Sequence, residues 1–154
     1  MQVRAAQEAD YPAVAALWNH FIRHTLQTFT TEEKTVDGLA RLLRIFVAED
    51  SGVLGFACYF PFRSGPGYAR SIEHSVYVAP EAHGRGAGNA LMEVLEQDAA
   101  AHGYHTLMAG ISGANPGGVA FHEKRDFAHV GRLPEVGFKE GRYLDLVLMQ
   151  KILT

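Results

Sequence analysis

The stretch SVYVAPEAHGRGAGNALMEVLEQ, Ser75 to Gln97, decides how the chain is read. It passes from an alternating apolar segment through a proline into three glycines spaced two apart, Gly84, Gly86 and Gly88, and then into a long amphipathic pattern. The first part has the β-branched and aromatic residues of a strand, and the last has the apolar spacing of a helix. Where a strand hands over to a helix, the first backbone N–H groups of the helix lack an intrahelical acceptor and the helix dipole favours an anion. Glycine lets the backbone turn sharply and lets a phosphate approach those groups, and Arg85 adds a cation in the same loop. The segment reads as a diphosphate cradle, against the plainer alternative of a tight strand-to-helix turn without a ligand.

Two other phosphate loops do not fit. A dinucleotide fingerprint counted from Gly84 or Gly86 puts Asn89 or Leu91 at its third glycine, and no Gly-Lys followed by Ser or Thr occurs after a four-residue spacer.

Around this segment the chain is of ordinary globular composition. Its 154 residues, 47% hydrophobic and 20% charged, suit one domain, 1–154, that can bury a core. A formal net charge of -3 supplies no basic field for a phosphate backbone, so nucleic acid is not an expected partner. No apolar run approaches the roughly 20 residues that cross a bilayer, and MQVRAAQEAD lacks the apolar core of a signal peptide, so the expectation is a cytoplasmic chain without a membrane partner. The single cysteine, Cys58, lies in the apolar run VLGFACYF and reads as a core residue.

The remaining elements follow from periodicity. MQVRAA is a short strand; Asp10 as cap and Pro12 in the first turn open a helix to about His24, with Val14, Leu17, Phe21 and Ile22 on one face. Thr30 and Glu33 have the spacing of a capping box ahead of a second helix with Val36, Leu39, Leu42 and Leu43. RIFVAED and VLGFACYFPF form a hairpin about Asp50-Ser51-Gly52, and RSIEHSVYVA resumes the sheet. ALMEVLEQDAAAHG is a helix closed by Gly103, HTLMAGI a buried strand, NPGGVAFHEKRD a short helix, and FAHVGRL and RYLDLVLMQKIL are closing strands. The order β-α-α-β-β-β-α-β-α-β-β is a mixed α/β (α+β) sheet covered by helices.

The string Val78 to Gly88 resembles the acetyl-CoA pyrophosphate loop of the GNAT N-acetyltransferases, Arg/Gln-x-x-Gly-x-Gly/Ala, with His83 in the Arg/Gln position. EHSVYVAPEAHGRGAG, SGANPGGVAFHEKRDFAHVG and LPEVGFKEGRYLDLVLMQKIL are similar to the phosphinothricin and methionine sulfone/sulfoximine acetyltransferase branch. The resemblance implies a GNAT fold, with a mixed, mostly antiparallel central sheet of about seven strands flanked by about four helices. It implies acetyl-CoA as co-substrate, a small amino-acid-like acceptor and a homodimer; no metal is expected, because the remaining histidines, including His102 and His105, have no Cys or carboxylate cluster at ligand spacing. His83, Gly84, Arg85, Gly86, Ala87 and Gly88 would meet the diphosphate. Val76, Tyr77 and Val78, on a strand that splays from HTLMAGI, would pair with the pantetheine arm and polarise the acetyl carbonyl, and Asn115 would bind a pantetheine amide.

By the same resemblance Glu73 is the general base and His122 the acid that protonates the leaving thiolate. Strand alternation puts Glu73, Ser75 and Tyr77 on one face and His74 and Val76 on the other, so Glu73 and His74 cannot both face the acceptor. A solvated strand-end carboxylate is the plainer reading of Glu73, and a satisfied surface histidine that of His122. The acceptor would lie between the loops 24–29 and 60–70, where Phe29, Phe62 and Tyr68 either wall a pocket or cap the core. Relatives place a carboxylate-binding arginine four residues before the glutamate; here Ala69 is at that place and Arg70 one residue later. Neutralising an α-amine at pH 7 costs roughly 1 kcal/mol against roughly 4 to 5 for a lysine ε-amine, which favours an α-amine acceptor and excludes nothing. A peptide N-terminus or polyamine acceptor, or a coenzyme-binding module without catalysis, remain the alternatives.

Overall fold

A computed structural model describes residues 1–153. Seven strands form one sheet in the order β1-β2-β3-β4-β5-β7-β6. They are β1 (Gln2–Ala5), β2 (Arg44–Glu49), β3 (Val53–Pro61), β4 (Ser71–Val78), β5 (Thr106–Ser112), β6 (Ala128–Lys139) and β7 (Arg142–Ile152). Only β4 and β5 run parallel; the other five neighbouring pairs are antiparallel. Four helices, α1 (Tyr11–His24), α2 (Val36–Leu39), α3 (Ala87–Ala101) and α4 (Pro116–Lys124), complete the expected order.

Period-2 alternation divides the core. Phe46 and Ala48 of β2 and Ala57 and Tyr59 of β3 face α3, joining Leu91, Met92 and Leu95, while Ile45, Val47, Phe56 and Cys58 face α1, joining Val14, Trp18 and Ile22. Cys58 is fully buried and its thiol is pushed up to about 12 by desolvation, as a core residue requires.

Two expected caps are corrected. Asp10 precedes α1 but makes no side-chain cap: its carboxylate accepts from Arg4 at 2.7 and 3.0 Å and from the Gln7 N–H at 2.8 Å, so it closes the preceding short turn instead. Thr30 and Glu33 do not cap α2 either, since Thr30 Oγ1 accepts from the Glu32 N–H and Glu33 pairs with Arg23. Thr35 is the cap, accepting from the Gly38 N–H at 3.1 Å. The helix then stops at Leu39, leaving Leu43 exposed rather than on a buried face. Asn19 of α1 explains the shift, because its amide binds both Lys34 O and the Lys34 N–H and so fixes the chain just before Thr35.

The feature that positions a site lies at the centre of the sheet. β4 and β5 are hydrogen-bonded only from Ser71↔Thr106 to His74↔Ala109, although β4 continues to Val78 and β5 to Ser112. Beyond His74 the two strands part, while β4 stays paired with β3 as far as Val78↔Gly55. One edge of residues 75–78 is therefore open in mid-sheet, an unusual place for unpaired backbone groups.

Candidate active site

The opening between β4 and β5 is a cleft of about 560 Å³ that runs through the sheet. Ser75, Val76, Tyr77 and Val78 line it from β4, Ala109, Gly110 and Ile111 from β5, His83 and Gly88 from the glycine loop, Asn115, Gly117, Gly118, Phe121 and His122 from α4, and His20, Phe21, Thr25 and Gln27 from α1 and the loop after it.

The glycine loop delivers the backbone shape its sequence demands. Gly84 and Gly86 have φ of 84° and 82°, where a side chain would be strained, and a Cβ at Gly88 would come within 3.1 Å of the Phe121 ring. Ala87, Gly88 and Asn89 begin α3, with N–H groups that have no acceptor within the helix. Arg85 pairs with Asp50 at 2.6 Å, both side chains being 46% exposed. Asn115 caps α4, its Oδ1 accepting from the Gly118 N–H at 3.0 Å, and still lines the cleft. This set fits a thioester carried on a diphosphate: an N–H nest for the charged end, an open strand edge for an amide-bearing arm, and a side-chain amide beside it.

On the other face of β4, Glu73 reaches over the neighbouring strand, its Oε2 being 3.2 Å from where a Cβ at Gly110 would be. A Cβ there would crowd the carboxylate by a few tenths of an ångström, and Gly110 itself lines the cleft. Burial raises the Glu73 carboxyl above the ordinary carboxylate range, which makes its anion a stronger base. Tyr77 follows on the same face, packed among Trp18, Phe21 and Phe56.

His74 points to the opposite face, as alternation requires, and there it meets His122. Their Nε2 atoms are 3.0 Å apart; His74 Nδ1 is 3.0 Å from Met108 O, and His122 Nδ1 is 2.7 Å from Gly118 O. Both rings are 6% exposed and pack against Phe127. Burial lowers both imidazoles, His74 to about 3, and the charge of one opposes a charge on the other. Sequence reasoning set His74 aside because it faces away from Glu73; the signal for it was a histidine at an inward position of a buried strand.

The three acceptor candidates do not line the cleft. Tyr68 is 43% exposed and stacks with Phe62 and Arg63. Arg70 is exposed just ahead of β4, where its carbonyl accepts from the N–H groups of His105 and Thr106. Phe29 lies flat on the backbone of Gly137, with ring atoms 2.6 to 2.9 Å from a Cβ built there. What replaces them was missed. Lys139, 3% exposed, donates from Nζ to Ile22 O, Thr25 O and Thr28 O at 2.8, 2.9 and 2.8 Å, tying the end of α1 and its loop to β6. Its signal was an inverted alternation, since Phe138 points out at 59% exposure between buried Gly137 and Lys139.

Comparison with known proteins now gives this arrangement a context. Residues 8–127 match the model of the Acetyltransferase (GNAT) family, and the chain belongs to that family. It is 39% identical over 98% of its length, and 95% of the relative's, to a phosphinothricin N-acetyltransferase of Streptomyces coelicolor. It is 35% identical over 97% of its length, and 93% of the relative's, to an L-methionine sulfoximine/L-methionine sulfone acetyltransferase of Salmonella typhimurium. A solved GNAT phosphinothricin acetyltransferase from Sinorhizobium meliloti, in complex with AcCoA, superposes with a TM-score of 0.92 at 29% identity, covering 98% of this chain and 87% of that one. The chain is an acetyl-CoA-dependent N-acetyltransferase. Among the described residues no helix is long and apolar enough to cross a membrane, and no group of three or more His, Cys, Asp or Glu is placed to hold a metal ion.

Proposed function

We propose that this enzyme acetylates the α-amine of a small amino acid or analogue of the phosphinothricin, methionine sulfone or methionine sulfoximine kind, by direct transfer. The observation that carries the reading is the cleft through the sheet, with an N–H nest and an open strand edge along it, and a desolvated carboxylate, Glu73, that reaches the cleft-lining Gly110 without itself lining the cleft. Acetyl-CoA supplies the activated acyl group. Gly84 to Gly88 hold its diphosphate, with His83 at the loop's rim, and the backbone of Val76 to Val78 aligns the arm and stabilises charge on the carbonyl oxygen. Asn115 donates to the arm's amides. Glu73 takes a proton from the acceptor ammonium, and His122 gives one to the departing sulfur. Since both His122 nitrogens are engaged, that proton leaves from Nε2, at the contact with His74.

The acceptor is bounded by His20, Phe21, Thr25 and Gln27 on the α1 side. The same reading includes a single domain spanning 1–154, a cytoplasmic location and a homodimer. The dimer is supported by β6, a 12-residue edge strand with Val130, Leu133, Val136 and Phe138 exposed.

Free-thiol release from acetyl-CoA, measured against phosphinothricin, methionine sulfone, methionine sulfoximine, ordinary amino acids, polyamines and short peptides, tests the acceptor. Fastest release with one of the three analogues supports it; a peptide or polyamine outrunning every free amino acid overturns it.

A further inference from the structure

The histidine pair has a proton count that its contacts dictate. Met108 O and Gly118 O are carbonyl oxygens and can only accept, so His74 Nδ1 and His122 Nδ1 must each carry a hydrogen. That leaves both Nε2 atoms as lone pairs facing each other at 3.0 Å unless one more proton lies between them. Four nitrogens thus make three short contacts, and three protons satisfy all of them. A neutral pair holds only two, and in every tautomer one contact becomes acceptor against acceptor in a buried site. A doubly charged pair has four, and places two cations 3.0 Å apart.

We propose that His74 and His122 form a one-proton dyad, in which His74 is the positioning residue that keeps a transferable hydrogen on His122 Nε2 for the leaving thiolate. This rests on the acetyl-transfer reading above. As the amine nitrogen bonds to the acetyl carbon and the carbon–sulfur bond breaks, sulfur takes the Nε2 hydrogen and the dyad becomes neutral. The acceptor ammonium loses one proton through Glu73 to water before attack, and its nitrogen a second by the same route as the amide forms; the dyad regains one from water, so the protein neither gains nor loses a proton over a cycle and one is released to solvent. The neutral pair is the strained one, because its Nε2 lone pairs face each other, and this favours reloading.

Burial lowers each imidazole taken alone, so the shared proton is held by the three contacts of 2.7 to 3.0 Å against that cost, and the surroundings leave room for no more than one charge. Arg125, after α4, opposes it, and Glu96 of α3 favours it. Glu96 is itself held by Arg125 at 3.0 Å and by Lys151 of β7 at 2.6 Å, so its field is partly spent. Phe127 closes the remaining side.

Histidine-15N NMR of the free protein at pH 7.5 counts the protons without any substrate. Three protonated nitrogens among the dyad's four are expected, with one hydrogen coupled to both Nε2 atoms; two protonated nitrogens would overturn the dyad whatever the activity. In His74→Gln the amide can donate to a neutral His122 Nε2, so no spare hydrogen is held. The alkaline limb of kcat should move down by about one pH unit or more, with kcat at pH 8.5 falling at least tenfold further than at pH 6.5 and KM for acetyl-CoA within about threefold of wild type. A uniform loss at all pH values, with the limb unmoved, makes His74 structural only and overturns the proposal. Failure of the acetyl-transfer reading looks different: no acceptor reacts while the three-proton signature is still present.

Discussion

The two walls of the cleft are made from different distances along the chain. The wall that offers backbone N–H groups comes from two compact segments, 83–88 and 115–122, each a loop running into a helix. The opposite wall, at the end of α1, takes its shape from Lys139, which reaches back 111 to 117 residues to three carbonyls, and from Gly137, on which Phe29 rests. A wall of local segments can be disturbed at one point without moving its neighbours. A wall cross-linked over such a span moves as a unit, because the loop 25–29 has few other anchors: Thr25 Oγ1 donates to Phe21 O, and Thr28 contacts the Tyr77 hydroxyl.

This contrast can be broken by mutation. Glu73→Gln, beside the cleft-lining Gly110, should lower kcat by about 10² or more with KM for acetyl-CoA nearly unchanged, read by steady-state thiol release; an unaffected rate removes Glu73 from the base role. Lys139→Met keeps the volume and deletes the donors, leaving three carbonyls short of a partner. A loss of about 2 kcal/mol in denaturant unfolding is expected, with KM rising for the acceptor and not for acetyl-CoA. Equal effects on both substrates would mean that the walls are not mechanically separate.

Acid should act through the histidine pair. An unfolded histidine takes its proton near its ordinary value of 6.5, whereas burial and the neighbouring charge hold His74 down to about 3. Between those values the unfolded chain binds one more proton than the folded one, so stability falls as pH falls, by up to about 1.4 kcal/mol per pH unit. Replacing His74 with Gln should flatten that slope in a pH series of unfolding curves. The smallest effect belongs to Arg85→Ala. The Arg85–Asp50 pair is exposed, so the change in stability should stay within about 0.5 kcal/mol, and the visible consequence should be a few-fold weaker, less salt-dependent grip on acetyl-CoA.

The same contrast explains what the sequence discloses. Gly84, Gly86 and the strand before them constrain each other within a dozen residues, so the loop can be read from spacing alone. The β2-β3-β4 part of the sheet is legible for the same reason, since those strands are neighbours in sequence and in space. The α1 wall is not legible in this way. Nothing near Thr25 or Thr28 announces a lysine at 139, and Phe29, which reads as pocket-lining, is drawn aside by a glycine 108 places later. The outward Phe138 and inward Lys139 did carry a trace of it, since polar-in and aromatic-out is costly unless the polar group has partners. His74 and His122, 48 residues apart, are each unremarkable alone and meet only where α4, which follows β5, packs beside β4.

Lys139 also sets a schedule for biosynthesis. On the ribosome the end of α1 emerges more than a hundred residues before its clamp, a delay on the order of ten seconds at ordinary elongation rates of roughly 5–20 residues per second. Through that interval the carbonyls of Ile22, Thr25 and Thr28 have water in place of the ammonium. A nascent chain halted short of the β6–β7 hairpin therefore displays its complete glycine loop beside a half-built counterpart.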